Sequence, residues 1–253
     1  MIDNKPSQKI FIFKARTLVY LSRSFLGLIF PLAVLLRIFN PQVVEAANFP
    51  NQAQEWLDTM KATGYLQNLL YTTEFLAGIA ILTGVFLPLA IIFLAPVIFN
   101  IALFHFFLDS RPERILLVLL IVSANLILTY HYRAAFQSLF YLIKPTWSVL
   151  IVKGFSVRFA IQIIMSLVFI VAGTAKLIIP EQLNVGNLLI DGMKATGYVY
   201  TLLGITEVTA GLALFHRRLI PLTLVVLTPI AINIFFYHLF LAVAGLPFAI
   251  LLL

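Results

Sequence analysis

The sequence predicts an all-α integral membrane protein built from two tandem four-helix units, and three observations lead to this prediction. Of its 253 residues, 62% are hydrophobic and 11% are charged, which is too apolar for a soluble domain. Apolar runs of spanning length recur along the whole chain; about 20 residues at 1.5 Å per residue cross roughly 30 Å of hydrocarbon. The hexapeptide MKATGY stands at residues 60–65 and returns at residues 193–198.

Composition also excludes several classes of protein. The chain has no cysteine, so it has neither disulfides nor a CxxC redox pair. Its net charge of +7 does not indicate nucleic-acid binding, because the cations stand at the ends of apolar runs, as topology signals do. A secreted protein with a cleaved signal peptide is excluded because the apolar runs continue to the C-terminus.

The repeated hexapeptide belongs to a longer internal duplication. At a fixed offset of 133 residues, residues 60–108 align without gaps with residues 193–241, and 22 of 49 positions are identical. Polar identities inside apolar runs are informative, because polar residues are rare there. The identical pairs include Glu74 with Glu207, Pro88 with Pro221, Pro96 with Pro229, Asn100 with Asn233 and His105 with His238.

The apolar runs predict seven full spans. We expect only a stump of the fourth span in the second unit, because Phe248 aligns with Ile115 at the start of that span and the given sequence ends at Leu253. We therefore expect a first unit at 1–135, an interfacial connector at 136–153 and a C-terminally short second unit at 154–253. The predicted spans lie near 16–38, 64–84, 88–108, 115–133, 156–178, 197–216 and 219–241.

Charge predicts the orientation. With a cytoplasmic N-terminus, ten cations lie inside and four outside, which fits the positive-inside bias of a multi-pass protein of the cell (inner) membrane. Four spans per unit place both units the same way up, as a parallel repeat. Residues 51–60 have apolar side chains at helical spacing between charges, which indicates an amphipathic helix on the outer surface.

Polar residues at equal depth predict a polar cluster. We expect the Thr of each hexapeptide to cap a helix, its Gly to allow a bend and its Tyr to lie between water and lipid. Glu74 lies about 15 Å below this helix start, and Asn100 is at a similar depth, so we predict a Glu74–Asn100 hydrogen bond and its Glu207–Asn233 counterpart. The full predicted binding cluster is Arg37, Glu74, Asn100 and His105 in one unit, and Lys176, Glu207, Asn233 and His238 in the other.

Two simpler readings of the cluster remain open. The polar groups of each unit would pair with one another and hold the helices together, with no ligand. Arg37 and Lys176 would alternatively extend to the outer interface. The sequence predicts no metal site, and two histidines without a characteristic spacing are only a weak indication of haem.

The repeat resembles the DoxX-like family of bacterial and archaeal four-helix membrane proteins. The resemblance rests on the TGY helix start, on Glu followed four residues later by Gly, on the Pro-Leu opening of the third span and on the Pro-x-x-x-Asn-Ile-x-x-x-His run. It implies one four-helix bundle per unit, and some relatives are membrane subunits of quinone-linked enzymes that oxidise sulfur compounds. The chain departs from the pattern at Arg37 against Lys176, at Val34 against Gly173, and in its short last helix.

Three functions stay open at this stage, and whether the chain is an enzyme stays open with them. The first is a redox-linked membrane subunit whose cluster binds a quinone or a small anion. The second is a non-enzymatic scaffold, assembly factor or partner-binding module, with a membrane or extracytoplasmic protein as partner. The third is a small-molecule carrier that uses the same carboxylates.

Overall fold

The structure is a computed structural model that describes residues 6–42, 47–137, 157–183, 186–216 and 218–252. This part of the chain is helical and contains no strand. The α-helices are α1 (Pro6–Phe39), α2 (Asn51–Ala62), α3 (Leu66–Thr83), α4 (Leu87–Phe107), α5 (Pro112–His131), α6 (Arg133–Phe136), α7 (Val157–Ile178), α8 (Leu188–Ala195), α9 (Val199–Leu214), α10 (Ile220–Phe240) and α11 (Leu246–Leu252). Short 3-10 helices lie at Pro180–Gln182 and Val243–Gly245.

Several of these helices are long and apolar enough to cross a membrane, which supports a multi-pass membrane protein. Among the described residues there are five such helices, or six if α8 and α9, bent by 100° at a short break, count as one span. Helix α3 overlaps the predicted span at 64–84 but is not among them, since it carries Gln67, Asn68 and Glu74 in 18 residues. The five are Arg16–Phe39, Leu87–Phe107, Pro112–His131, Phe159–Ile178 and Ile220–Phe240.

Contacts divide the chain into two compact units. The first unit comprises Met1–Ala53 and Asn68–Ala135, and the second comprises Gln54–Gln67 and Phe136–Leu253. The sequence assigned residues 54–67 to the first unit, whereas in the structure they group with the second. Most of the predicted connector at 136–153 lies outside the described residues.

In the first unit the core lies between the helices α1, α3, α4 and α5. Helix α1 presents Leu26, Phe30 and Val34 to the core, at the spacing of one helical face. Helix α3 approaches closely at Gly78, where an added Cβ would lie 2.4 Å from Cδ of Pro31. A side chain at position 78 would therefore force the two helices apart.

The core of the second unit centres on Phe169, Ala210, Leu214 and Leu227. Helices α7 and α9 meet there through glycine. A Cβ added at Gly173 would lie 2.6 Å from the carbonyl oxygen of Gly204, which is a backbone atom and has little room to move. The missing side chains therefore let the two backbones approach, as small residues do between membrane helices.

Each copy of the hexapeptide forms a corner between two helices. The Thr63 hydroxyl donates to the Met60 carbonyl and accepts from the Leu66 N–H, so it serves both the end of α2 and the start of α3. Gly64 has a φ of +77°, a left-handed conformation that favours glycine. The second copy repeats this arrangement at Thr196, with the Met193 carbonyl and the Val199 N–H, and at Gly197, with a φ of +76°. The predicted cap and bend are confirmed in both copies.

The tyrosines of the two hexapeptides do not lie where they were predicted. Tyr65 is 4% and Tyr198 is 7% exposed, so neither ring spans a boundary between water and lipid. Within the second unit, Tyr65 stacks against Phe236 and Phe240 of α10. The ring is thus an anchor that holds residues 54–67 on α10.

The amphipathic segment at 51–60 is helical, as predicted, and forms most of α2. Ala53 is fully buried on it, and Gln54 and Asp58 form a hydrogen bond on an exposed face. At the other end of the sequence, Phe248 lies in the seven-residue helix α11.

Candidate functional site

The first predicted cluster contains a buried ion pair between α1 and α3. Glu74 lies on the buried face of α3, with Ala77, Gly78 and Ile81 at helical spacing. Its carboxylate accepts a hydrogen bond from Nη1 of Arg37 at 2.8 Å, and its side chain is only 1% exposed. Arg37 reaches it from the last turn of α1 and is 33% exposed. The guanidinium also lies over the Tyr71 ring, 5.4 Å from its centroid.

The second cluster contains the corresponding pair between α7 and α9. Nζ of Lys176 donates to Oε2 of Glu207 at 2.7 Å, and the side chains are 19% and 3% exposed. The approach of the helices at Gly173 and Gly204 lies one turn from this pair on both helices. The close approach of the α7 and α9 backbones thus brings the Lys176 side chain within reach of the buried Glu207 carboxylate.

A third contact, which the sequence analysis missed, also recurs in both units. Nε of Arg23 in α1 donates to the carbonyl of Ile81, in the last turn of α3. In the second unit, Gln162 of α7 donates to the carbonyl of Leu214 at the end of α9. These side chains satisfy carbonyls that have no partner within their own helix. Because Arg23 and Gln162 are 139 residues apart, like Arg37 and Lys176, the alignment of the first spans could have identified them.

The predicted hydrogen bonds between glutamate and asparagine are not present in the described residues. Asn100 is exposed, and its amide donates to the Pro96 carbonyl of its own helix at 3.5 Å. Asn233 accepts instead from the Tyr65 hydroxyl at 2.8 Å. The prediction was wrong because it compared only depth: at 100° per residue, Asn100 lies about 180° around α4 from the buried Ile91.

The two predicted histidines lie apart from the ion pairs of their own units. Nδ1 of His105 lies 3.5 Å from Oδ2 of Asp109, beyond good hydrogen-bond distance, and has no hydrogen-bond partner in the part of the chain that the structure describes. Nδ1 of His238 lies 2.9 Å from the carbonyl oxygen of Ala242, just beyond the end of α10. Each histidine thus contacts the end of its own helix, and neither adds an imidazole to a glutamate site.

A buried aspartate between α4 and α5 forms a cluster that the sequence analysis did not identify. The Asp109 side chain is 0% exposed and accepts from Nε of Arg111 and from Nη1 of Arg114, both at 2.6 Å. Both arginines also donate to the carbonyl of Ala47. The cluster therefore fastens the segment before α2 to the α4–α5 connection. The Asp-x-Arg-x-x-Arg spacing between two apolar runs was the available signal.

The charges around Asp109 determine its protonation. Burial raises the pKa of Asp109, but the hydrogen bonds and positive charges of Arg111 and Arg114 outweigh it, and the pKa lies below the usual 3.8. The hydrogen bond to Asp109 likewise raises the pKa of Arg111. The carboxylate is thus ionised at neutral pH and holds two guanidinium groups.

The second unit also contains a buried hydroxyl that has no hydrogen-bond partner. Tyr200 is 4% exposed, and its hydroxyl makes no hydrogen bond among the described residues. It lies two turns before Glu207 on the same face of α9. Nζ of Lys194 lies 5.5 Å from the Tyr200 ring centroid and donates to the Leu183 carbonyl. The first copy of the repeat has Gln67 at the aligned position, so the tyrosine is specific to the second copy.

Taken together, the described residues provide one glutamate–cation pair in each unit and the Asp109 cluster in the first, and they bring no acid, amide and imidazole together at one site. Among the described residues, no group of three or more His, Asp or Glu side chains could hold a metal ion. Comparison with models of protein families, with curated proteins and with solved structures found no match. The resemblance to the DoxX-like family therefore stays a prediction.

Proposed function

We propose that the chain is a membrane scaffold or partner-binding module in which the buried ion pairs fix the packing of the helices. The observation that carries this proposal is that each buried glutamate is satisfied by one cation of its own unit. The charge of each carboxylate is thus compensated inside its own unit without a ligand. Buried polar contacts that fix register are a known use of such groups.

The test separates stability from activity. Glu74→Gln removes the charge and keeps the shape, so we expect lower thermal stability in detergent and a cellular phenotype in proportion to the protein remaining. The matched variant exchanges the charges, with Arg37→Glu and Glu74→Arg together, and is expected to recover part of the stability. A Glu74→Gln protein that is fully stable and abundant but inactive in cells would contradict the proposal.

A second candidate function is binding of a quinone or a small anion in the second unit, as part of a redox-linked complex. One observation favours it: the Tyr200 hydroxyl is buried with no hydrogen-bond partner among the residues that the structure describes, near Lys194 and on the helix face of Glu207. A carbonyl or anionic oxygen would satisfy that hydroxyl. The measurement is binding of a ubiquinone or menaquinone analogue to purified protein, comparing wild type with Tyr200→Phe. Equal binding by both proteins, or none by either, would count against this candidate.

The finer topology belongs to the same proposal. We propose seven spans, with α3 crossing the membrane despite its polar residues, because Glu74 is paired and 18 residues extend roughly 27 Å. We also propose two parallel units and a cytoplasmic N-terminus. Two contacts recur at aligned positions and support the duplication. Arg37 binds Glu74 as Lys176 binds Glu207. Arg23 donates to the Ile81 carbonyl as Gln162 donates to the Leu214 carbonyl. Because the chain lacks cysteine, single cysteines introduced at the helix ends and labelled from each side test every crossing.

A further inference from the structure

The imidazole of His105 lies beside the Asp109 cluster and has an unsatisfied ring nitrogen. Its side chain is 16% exposed, and its buried Nδ1 makes no hydrogen bond among the described residues. This nitrogen lies 3.5 Å from Oδ2 of Asp109, an oxygen that already accepts from Arg114 at 2.6 Å and from Arg111 at 3.2 Å. The imidazole therefore adjoins a carboxylate that is already engaged by two guanidinium groups.

The aligned histidine of the second copy stands in a sequence without these charges. At the same offset of 133 residues, the acid and both arginines are replaced by uncharged residues, namely Ala242, Ala244 and Pro247. Nδ1 of His238 lies instead 2.9 Å from the carbonyl oxygen of Ala242. The repeated histidine is thus combined with an acid and two arginines in the first copy only.

Charge makes a proton on His105 unfavourable while the cluster is intact. The charged groups that act on this ring among the described residues are Asp109, Arg111 and Arg114, one negative and two positive. Glu113 acts on Arg111, but it is exposed in the first turn of α5, where water and salt screen its charge. An imidazolium at this largely buried position would face two like charges and lose its hydration.

The same cluster holds the segment that precedes α2. Arg111 and Arg114 both donate to the carbonyl of Ala47, at 3.2 and 2.6 Å. Arg114 also lies over the Phe49 ring, 4.4 Å from its centroid. These contacts form a clamp on residues 47–49, which we call the Asp109 clamp. Because Asp109 holds both guanidinium groups in place, a cation that competes for its oxygens loosens the clamp.

We propose that His105 is a pH sensor that opens the Asp109 clamp when its imidazole takes up a proton. The protonated ring competes with Arg114 for Oδ2 of Asp109 and repels both guanidinium groups, which releases residues 47–49. With the clamp closed the ring stays neutral, whereas with the clamp open it is hydrated, and a hydrated imidazole has a pKa of about 6.5. Between pH 8 and pH 5 this difference favours opening by up to about thirtyfold. The switch uses neither glutamate–cation pair and does not depend on the scaffold role.

Thiol labelling of the full chain in lipid nanodiscs tests the switch, because the chain has no cysteine of its own. Ala47→Cys places a thiol on the clamped segment, and Asn51→Cys, at the exposed start of α2, is the reference. The ratio of their maleimide labelling rates at each pH removes the intrinsic pH dependence of a thiol. We expect this ratio to rise by up to about thirtyfold as the pH falls from 8 to 5. A ratio that stays constant or falls would overturn the proposal.

Replacing the histidine tests its role in the same assay. His105→Gln keeps a polar side chain that takes up no proton, so we expect a constant ratio. His238→Gln is the matched control, because it removes the aligned histidine and is expected to keep the full response. In Arg111→Gln, one carboxylate faces one guanidinium, which makes a proton on the ring less costly, and we expect a smaller response. An undiminished response in His105→Gln or Arg111→Gln, or its loss in His238→Gln, would contradict the proposal.

Discussion

Removing Lys176 tests the energetics of the buried pair in the second unit most directly. In Lys176→Met the glutamate side chain, 3% exposed, loses the group that lies 2.7 Å from its oxygen. Breaking a buried ion pair by removing one partner costs about 3–5 kcal/mol, because a charge is left without compensation. Lys176 is itself 19% exposed, so the pair is not fully buried, and we expect a loss at the lower end of this range, about 3 kcal/mol.

The assay is reversible unfolding of the purified chain in mixed micelles, followed by circular dichroism as the denaturing detergent increases. Adding Glu207→Gln to Lys176→Met removes the stranded charge and is expected to restore most of the lost free energy of unfolding. Lys176→Arg keeps the charge and is the control for side-chain length. The reasoning is refuted if Lys176→Met unfolds like the wild type, or if the double variant is no more stable than the single one.

Three further predictions concern packing, protonation and capping. Gly173→Ala is expected to lower the free energy of unfolding by about 1–3 kcal/mol, since the new methyl would meet the Gly204 carbonyl, and unchanged stability would contradict the close approach. The pKa of Asp109 lies below 3.8, so its stabilisation is full above that pH and is lost as the pH falls through the lower pKa of the folded state. The stability difference between wild type and Asp109→Asn, measured from pH 5 downwards, should therefore shrink below about 3.8 and not above it. Gln162→Leu is expected to lower the free energy of unfolding by about 1–3 kcal/mol in the same assay, because the Leu214 carbonyl loses its donor. Gln162→Glu, which cannot donate when ionised, is expected to lose a similar amount.

Much of the local structure could be predicted from the sequence. The corner at each hexapeptide depends on residues within six positions of one another: a Thr that caps, and a Gly that adopts a positive φ. The positions of the helices follow from apolar runs bounded by charges and prolines. The burial of Tyr65 could not be predicted in this way, because its contacts are with residues of α10 far along the chain.

The contacts of the candidate site could be predicted from the sequence only in part. The sequence predicted equal depth for Glu74 and Asn100 from the rise per residue alone, but Glu74 is buried and Asn100 is exposed. Helix α4 is apolar on every side, so the pattern of its residues carried no information about which side meets the core. The Arg37–Glu74 pair, in contrast, joins two side chains that both continue the buried faces of their helices.

The sequence by itself determined composition, helical structure and the height of each residue along its helix, because the rise per residue is a property of the backbone alone. Only the tertiary structure decided the rotation of each helix about its axis, and with it which polar groups meet. That rotation depends on how closely the neighbouring helices approach, at Gly78 and Gly173 above all. Glu74 and Glu207 therefore pair with cations of α1 and α7, and Asn100 is exposed.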